Sequence, residues 1–82
     1  MRITVLLFGP QAQRAGRRQV VVELPGTSTT CAELRKALAE AVPELATSLP
    51  NSRLAVNHAY ADDNERITAS DEVALIGMVS GG

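Results

Sequence analysis

Two nearly continuous apolar runs lie close to the two ends of the chain. Residues 3–8 read Ile-Thr-Val-Leu-Leu-Phe, and residues 72–79 are apolar except for Glu72 and Gly77. Runs of this length that are rich in branched aliphatic side chains predict β-strands. Because the runs lack strict alternation, we expect both strands to lie in the middle of a sheet, with each face at least partly covered.

Weaker strand signals lie between these runs. Residues 19–24 alternate their valines between two faces and end at a Pro-Gly pair. The short connection before them, which contains a predicted helical turn at residues 11–15 closed by Gly16, favours an antiparallel hairpin between the first two strands. Residues 53–57 predict another strand, which an Asn-His turn joins to a short return strand at Tyr60.

The strongest helix signal begins at Thr30. Thr30 and Glu33 fit a capping box, in which the hydroxyl accepts from the Glu33 amide and the carboxylate reaches back to the Thr30 amide. Pro43 ends the helix, because the residue before a proline avoids the α region. Between them, apolar residues recur at helical spacing and predict one buried stripe: Leu34, Ala37, Leu38, Ala41 and Val42.

The order of these elements is β-β-α-β-β-β. We expect the two apolar terminal strands to lie side by side and parallel, since the middle of the chain supplies the long crossover that a parallel pair needs. The sequence therefore predicts an α+β, β-grasp (ubiquitin-like) fold, with a mixed sheet of four to five strands and one main helix across one face. We expect one domain, residues 1–82, with a flexible C-terminal tail at residues 79–82.

Composition narrows the choice of partners. Of the 82 residues, 45% are hydrophobic and 21% are charged, and the formal net charge is -1, as in small globular domains. Arg14, Arg17 and Arg18 form a basic cluster too small to predict nucleic-acid binding. The opening apolar run is too short for a signal-peptide core or a membrane span, so we expect no membrane partner and a cytoplasmic location.

Conventional catalytic groups are sparse in this sequence. His58, the only histidine, lies in a predicted turn, and Cys31, the only cysteine, lies at the first helical position, where a helix dipole can lower a thiol pKa. The carboxylates Asp62, Asp63 and Glu65 share one polar turn. We interpret the histidine and the carboxylates as solvated and Cys31 as structural. The sequence predicts no metal site and no permanently bound cofactor, since it contains no matching motif.

The last residues offer a different chemistry. The sequence ends in Ser80, Gly81 and Gly82, and a tail without bulky side chains fits a narrow pocket. Four extended residues reach roughly 14 Å. A terminal carboxyl, with a pKa of about 3.3–3.7, is ionised at neutral pH and can attack the α-phosphorus of ATP to form an acyl adenylate, from which sulfur can displace AMP. We predict that Gly82 reacts and that Val79, Ser80 and Gly81 present it.

Four segments of the chain match a known family in combination. They are residues 5–9 (Val-Leu-Leu-Phe-Gly), 55–60 (Ala-Val-Asn-His-Ala-Tyr), 71–76 (Asp-Glu-Val-Ala-Leu-Ile) and 79–82 (Val-Ser-Gly-Gly). Over essentially its whole length, the chain resembles the MoaD/ThiS family of ubiquitin-like sulfur carriers, especially the small subunits of molybdopterin synthase. One departure is that a Gly-Met pair replaces the usual Pro-Pro before the tail, and two prolines would stiffen that approach.

The resemblance implies a sulfur carrier in molybdenum cofactor biosynthesis. A MoeB-like adenylyltransferase consumes ATP to adenylate Gly82, and a sulfur donor protein converts the adenylate to a thiocarboxylate. The MoaE-like large subunit of molybdopterin synthase then receives the tail, and two carriers supply the two dithiolene sulfurs of molybdopterin. The chain is then a non-catalytic subunit of a heterotetramer, with the active site on the large subunit.

The resemblance also suggests a docking surface. Phe8 and exposed apolar residues of the sheet are candidates for the contact with the large subunit. The alternative is that Phe8 belongs to the core.

Three other functions stay open on the sequence alone, one of which is a binding module with an inert C-terminal tail. The chain can be a sulfur carrier for thiamine or cysteine biosynthesis, although the segment at residues 44–53 is longer than in typical thiamine carriers. It can also be a ubiquitin-like modifier joined through Gly82 to lysines of other proteins. Co-purification with a large synthase subunit would favour the first interpretation, and conjugates that resist thiols and denaturant would favour the modifier.

Overall fold

The computed structural model describes residues 1–78 and has the predicted α+β, β-grasp architecture. The predicted tail, residues 79–82, lies outside the described residues. Neither helix in residues 1–78 is long and apolar enough to cross a membrane. In chain order, the elements are β1 (Arg2–Leu7), α1 (Gly9–Ala15), β2 (Gln19–Glu23), β3 (Thr29–Thr30), α2 (Cys31–Ala41), two 3₁₀ turns (Pro43–Leu45 and Leu49–Asn51), β4 (Ser52–Val56), β5 (Ala59–Tyr60), β6 (Arg66–Ile67) and β7 (Val73–Gly77).

The main sheet confirms the predicted pairing of the terminal strands. Its order is β2-β1-β7-β4-β5, and β1 runs parallel to β7 with Val5 opposite Val73. The β1–β2 hairpin is antiparallel, as predicted, and β4 is antiparallel to both β7 and β5. A separate two-stranded pair, β3 with β6, places Thr29 opposite Ile67. The sequence did not predict this pair, because strands of two residues carry no periodicity.

One face of the main sheet is buried, and the other is only partly covered. On the buried face, alternating residues of β1 and β7 pack in one core with α2: Ile3, Val5, Leu7, Leu34, Leu38, Val73 and Leu75. On the other face, Leu6, Ala74 and Ile76 are half-buried and Thr4 is exposed. The runs of β1 and β7 therefore contain more apolar residues than the core buries. The remaining apolar side chains are partly exposed on the other face.

Helix α2 begins with the predicted cap, although one of its hydrogen bonds differs. The Glu33 amide donates to Thr30 Oγ1 at 3.2 Å, as predicted. The Glu33 carboxylate accepts from the Thr30 hydroxyl at 3.0 Å instead of from the Thr30 amide. The predicted buried stripe is wrong at Ala41, which is exposed, and it omitted Cys31, which is buried. Thr30 Oγ1 thus makes both contacts, and the same residue ends β3 and caps α2.

Candidate functional site

The partly covered face of the sheet forms an apolar surface that a partner can use. Its centre is half-buried, and two aromatic side chains, Phe8 at 53% and Tyr60 at 52% exposure, stand at its margin. A shallow depression of about 410 Å³ lies between them. Exposed apolar surface on a small domain marks an interaction site when it is contiguous. We call this surface the open sheet face, and define it by Leu6, Phe8, Ala55, Tyr60, Ala74 and Ile76.

Phe8 lies outside the core because the chain turns sharply where β1 ends. Phe8 is the residue before α1, with extended backbone (φ -135°, ψ 153°), and Gly9 follows with a positive φ of 54°. Pro10 then stands in the first turn of α1, and Gly16 ends the helix with φ 69°, as the sequence predicted. The turn holds the ring on the open sheet face, so the alternative that Phe8 belongs to the core is wrong.

The Asn-His turn between β4 and β5 is hydrogen-bonded to the residues that precede β7. Asn57 and His58 both adopt positive φ, at 51° and 70°. The Asn57 side chain donates to Asp71 Oδ1 at 3.0 Å and accepts from the Glu72 amide at 2.9 Å. The Thr68 amide and then the Asn57 side chain hold the pKa of the Asp71 carboxyl below its ordinary value of 3.8. The Val-Asn motif therefore has a structural role in positioning β7.

The margin of the open sheet face carries a few charges. His58 Nε2 lies 3.2 Å from Glu72 Oε2, and the His58 side chain is 83% exposed. The Arg53 guanidinium lies 4.8 Å from the centre of the Tyr60 ring, a distance at which a cation–π contact stabilises the ring's position. These contacts agree with the interpretation of His58 as a surface residue.

Cys31 is buried and chemically passive. The thiol is 1% exposed, and burial, with the nearby carboxylates of Glu65 and Asp63, raises its pKa above 9.0 despite the opposing charge of Arg35. A raised pKa reduces the thiolate fraction, and the thiolate is the nucleophile. The sequence indicated that the helix dipole can lower the pKa of Cys31. That prediction is wrong, because the pKa is raised.

The acidic turn at residues 62–65 pairs with arginines. Asp63 Oδ1 lies 3.3 Å from Arg35 Nη1, and Asp62 Oδ1 lies 3.9 Å from Arg53 Nη2. Among residues 1–78, no three His, Cys, Asp or Glu side chains come together as a metal site would require. These ion pairs thus link α2 and β4 to the turn that precedes β6.

The exit of β7 lies next to the open sheet face. Gly77 pairs with Ser52 at the end of the β4–β7 ladder, and the Met78 amide donates to the Asn51 carbonyl at 2.9 Å. A second groove, of about 580 Å³, opens at this point and shares Phe8 and Ile76 with the open sheet face. The chain therefore leaves the sheet beside its most exposed aromatic ring.

The predicted reactive and presenting residues lie beyond this point. Gly82, Gly81, Ser80 and Val79 fall outside the described residues, so the structure places only the body that precedes them. Of the predicted site residues, Phe8 is the one described.

The sequence missed Gln11, which is buried next to Gly77. A glutamine in a short amphipathic turn gives no sequence signal for burial, because its partners lie far away in the chain.

Comparisons with known proteins point to one family. Residues 5–82 match the model of the ThiS family. The molybdopterin synthase sulfur carrier subunit of Dictyostelium discoideum is 34% identical over 80 residues, which cover 95% of this chain and 93% of that protein. These matches extend over nearly the whole chain, so they do not depend on one short motif.

Two solved structures have the same fold. The crystal structure of SAMP1 from Haloferax volcanii, a small archaeal modifier protein, superposes with a TM-score of 0.85 at 30% identity, covering 100% of both chains. A chain from the complex of subunits 1 and 2 of molybdopterin-converting factor from Helicobacter pylori gives a TM-score of 0.69 at 25% identity, again over 100% of both chains.

Proposed function

The chain belongs to the ThiS family, and on that premise we propose that it is the sulfur carrier subunit of a molybdopterin synthase. The observation that carries the proposal is 34% identity, over 95% of this chain, to a molybdopterin synthase sulfur carrier subunit. The open sheet face adds a physical reason. A carrier needs a rigid surface for recognition beside the point where its reactive tail begins, and Phe8 lies at such a point.

The proposed chemistry takes place at Gly82. One oxygen of its carboxylate attacks the α-phosphorus of ATP, pyrophosphate leaves, and the glycyl adenylate forms. Hydrosulfide supplied by a donor protein then attacks the glycyl carbonyl carbon, AMP leaves, and the carbon keeps one oxygen and gains one sulfur. The sulfur of the resulting thiocarboxylate bonds to a carbon of the pterin substrate and displaces an oxygen leaving group. Water then cleaves the bond between the glycyl carbonyl carbon and the sulfur, so the sulfur stays on the pterin and the carrier returns to a carboxylate. Val79, Ser80 and Gly81 present this group, with little steric hindrance at the two glycines.

Two classes of protein partner follow from this chemistry. A large synthase subunit is supported by the Helicobacter pylori complex, in which a structurally similar chain is paired with subunit 2. We propose an adenylyltransferase of the MoeB type as the second partner, because adenylation of Gly82 consumes ATP and the sequence has no phosphate-loop motif. We propose that both partners recognise the open sheet face, and that the tail enters the active site of whichever partner is bound.

Mass spectrometry of the protein from its native host tests the proposal directly. We expect a form heavier by about 16 Da, the difference between sulfur and oxygen, which disappears after hydrolysis. Gly82→Ala, and separately the addition of one residue after Gly82, should abolish pterin sulfuration. Thermal unfolding should stay unchanged, because the buried core of the described residues is formed between Ile3 and Leu75. Unchanged sulfuration in either variant would contradict the proposed role of Gly82.

A second candidate function is covalent protein modification. The observation that favours it is the likeness to SAMP1, which is named as a modifier. The same adenylate would then be transferred to a lysine amine of another protein. Lys36 is the only lysine of this chain, so chains linked through the protein itself would have a single branch point. An anti-protein blot that shows conjugates resistant to thiols and denaturant, lost in Gly82→Ala, would establish this function.

A further inference from the structure

The last described residue is held by a hydrogen bond that a proline in its place would not form. The Met78 amide donates to the Asn51 carbonyl at 2.9 Å, which extends the pairing of β7 one residue past Gly77. Proline has no amide hydrogen and would end the ladder at this position. The direction of the chain at Met78 is therefore set by pairing with the segment that precedes β4.

A buried glutamine lies against the same point. Gln11 is 4% exposed, and a Cβ placed on Gly77 would lie 3.5 Å from each of the Cδ, Nε2 and Oε1 atoms of Gln11. These equal distances mean that the flat face of the amide is turned towards the position that a Gly77 Cβ would take. Gln11 Nε2 also donates to Ser52 Oγ, and Ser52 is the residue paired with Gly77. One amide therefore bonds to β4 and faces β7 at the end of their ladder.

Further hydrogen bonds link Ser52 to the segment that holds Met78. Ser52 Oγ donates to the Ser48 carbonyl at 2.7 Å, and the same carbonyl accepts from the Asn51 amide at 3.1 Å. Asn51 then holds Met78 through its own carbonyl. We call this connected set the exit network: Gln11, Ser48, Asn51, Ser52 and Met78.

Burial of an amide is a costly way to anchor a short helix. A buried amide costs free energy unless it is hydrogen-bonded, whereas an aliphatic side chain at the same place would add hydrophobic burial. What an amide adds is direction, because a satisfied polar contact permits fewer arrangements than apolar packing does. The Nε2 donor of Gln11 is satisfied by Ser52 Oγ, and among residues 1–78 no fully buried side-chain nitrogen or oxygen lacks a hydrogen-bond partner.

We propose that Gln11 is a positioning residue for the transfer of sulfur from Gly82. Through its bond to Ser52, the residue paired with Gly77, it sets the direction in which the chain leaves the sheet relative to the open sheet face. Binding of the partner to that face and entry of the tail into the partner's active site then contribute separately to the rate of sulfur transfer. Gln11 affects the entry of the tail. This inference rests on the proposed function, since it concerns how that same carrier presents its reactive end.

The test compares two identical substitutions on one helix. Gln11→Met keeps the length and volume of the side chain but removes the donor, and Gln13→Met makes the same change at an exposed position of α1. Each protein is prepared as its thiocarboxylate by sulfide cleavage of an intein fusion, which needs no activating enzyme. Transfer of sulfur to cyclic pyranopterin monophosphate is then measured in single turnovers over a range of concentrations of the large subunit.

We expect Gln11→Met to slow transfer at saturating large subunit by about tenfold, since a small misplacement of a reacting group has a large effect on rate. The Kd for the large subunit should stay within about twofold of wild type, and Gln13→Met should match wild type in both quantities. A residue that only stabilised the fold would instead alter Tm or Kd. Ser52→Ala, which removes the acceptor, should slow transfer similarly, and combining it with Gln11→Met should add little.

The outcomes separate the two proposals. If wild-type thiocarboxylate transfers no sulfur to the pterin, the proposed function is wrong, and the positioning role is wrong with it. If wild type transfers sulfur and Gln11→Met does so at the same saturating rate, only the positioning role is wrong. As an independent measurement, hydrogen exchange at the Met78 amide should accelerate in Gln11→Met, and an unchanged exchange rate would also contradict the inference.

Discussion

Truncation of Phe8 should weaken binding to the large subunit far more than it weakens the fold. The side chain is 53% exposed, so about half of an aromatic side chain's surface, on the order of 100 Å², is free for a partner. At about 25 cal/mol per Å², covering this area contributes roughly 2.5 kcal/mol, and alanine keeps a small part of it. A loss of about 2 kcal/mol corresponds to a Kd that is about 30-fold higher.

Isothermal titration calorimetry of Phe8→Ala against the cognate large subunit measures this effect. Lys36→Ala provides the control, because Lys36 is exposed on α2, on the side of the sheet opposite to the open sheet face. We expect its Kd to equal that of wild type. Thermal unfolding followed by circular dichroism should show that Phe8→Ala lowers Tm by less than about 4 °C, which corresponds to a stability change below about 1 kcal/mol.

Two results would refute this reasoning. A Kd for Phe8→Ala within threefold of wild type would mean that the open sheet face does not bind the large subunit through this ring. An equal loss of affinity in Lys36→Ala would mean that the effect is not specific to this face. A large fall in Tm for Phe8→Ala would instead place the ring in the core, contrary to its exposure.

Further predictions concern two titratable groups. The pKa of Asp71 is lowered in the fold, so its contribution to stability is fully present above the unfolded value and is lost as the pH falls through the folded value, below 3.8. The difference in urea stability between wild type and Asp71→Asn should therefore be largest above about pH 5 and shrink in acid; a difference independent of pH would contradict the Thr68 and Asn57 contacts. Cys31, buried and with a raised pKa, should react with a disulfide reagent at pH 8 at least about tenfold more slowly in the native protein than in denaturant. Equal rates in the two states would show that the thiol is accessible.

Much of the fold followed from local signals in the chain. The apolar runs at the two ends predicted a central parallel pair because their composition matches strands in the middle of a sheet, and β1 and β7 do pair in parallel. The cap at Thr30 was predictable because it depends on two residues three positions apart. The exposure of Ala41 was not, since it depends on where the chain turns after α2, and helical spacing alone carries no information about that turn.

The candidate site was less accessible to sequence reasoning. Phe8 and Tyr60 were recognisable as the only large aromatic residues, but burial and exposure were equally compatible with the sequence at Phe8. Its exposure depends on the turn at Gly9 and on this face of the sheet being only partly covered. The Asn-His turn was recognisable from the sequence. The sequence did not indicate that the Asn57 side chain bonds to Asp71 and Glu72 and thereby positions β7.

The sequence by itself determined the order of the elements, the class of fold, the family and the chemistry expected at Gly82. These depend on local patterns and on the chemical nature of the residues present. Only the tertiary structure decided that one face of the sheet stays open and that Gln11, Ser52 and Gly77 meet at the exit of β7. The physical reason is that contacts between residues distant in the chain arise from the packing of whole elements. No periodicity or spacing encodes which side chain of α1 will lie against the last strand. Within the described residues, these contacts set the direction of the chain at Met78, beside the open sheet face.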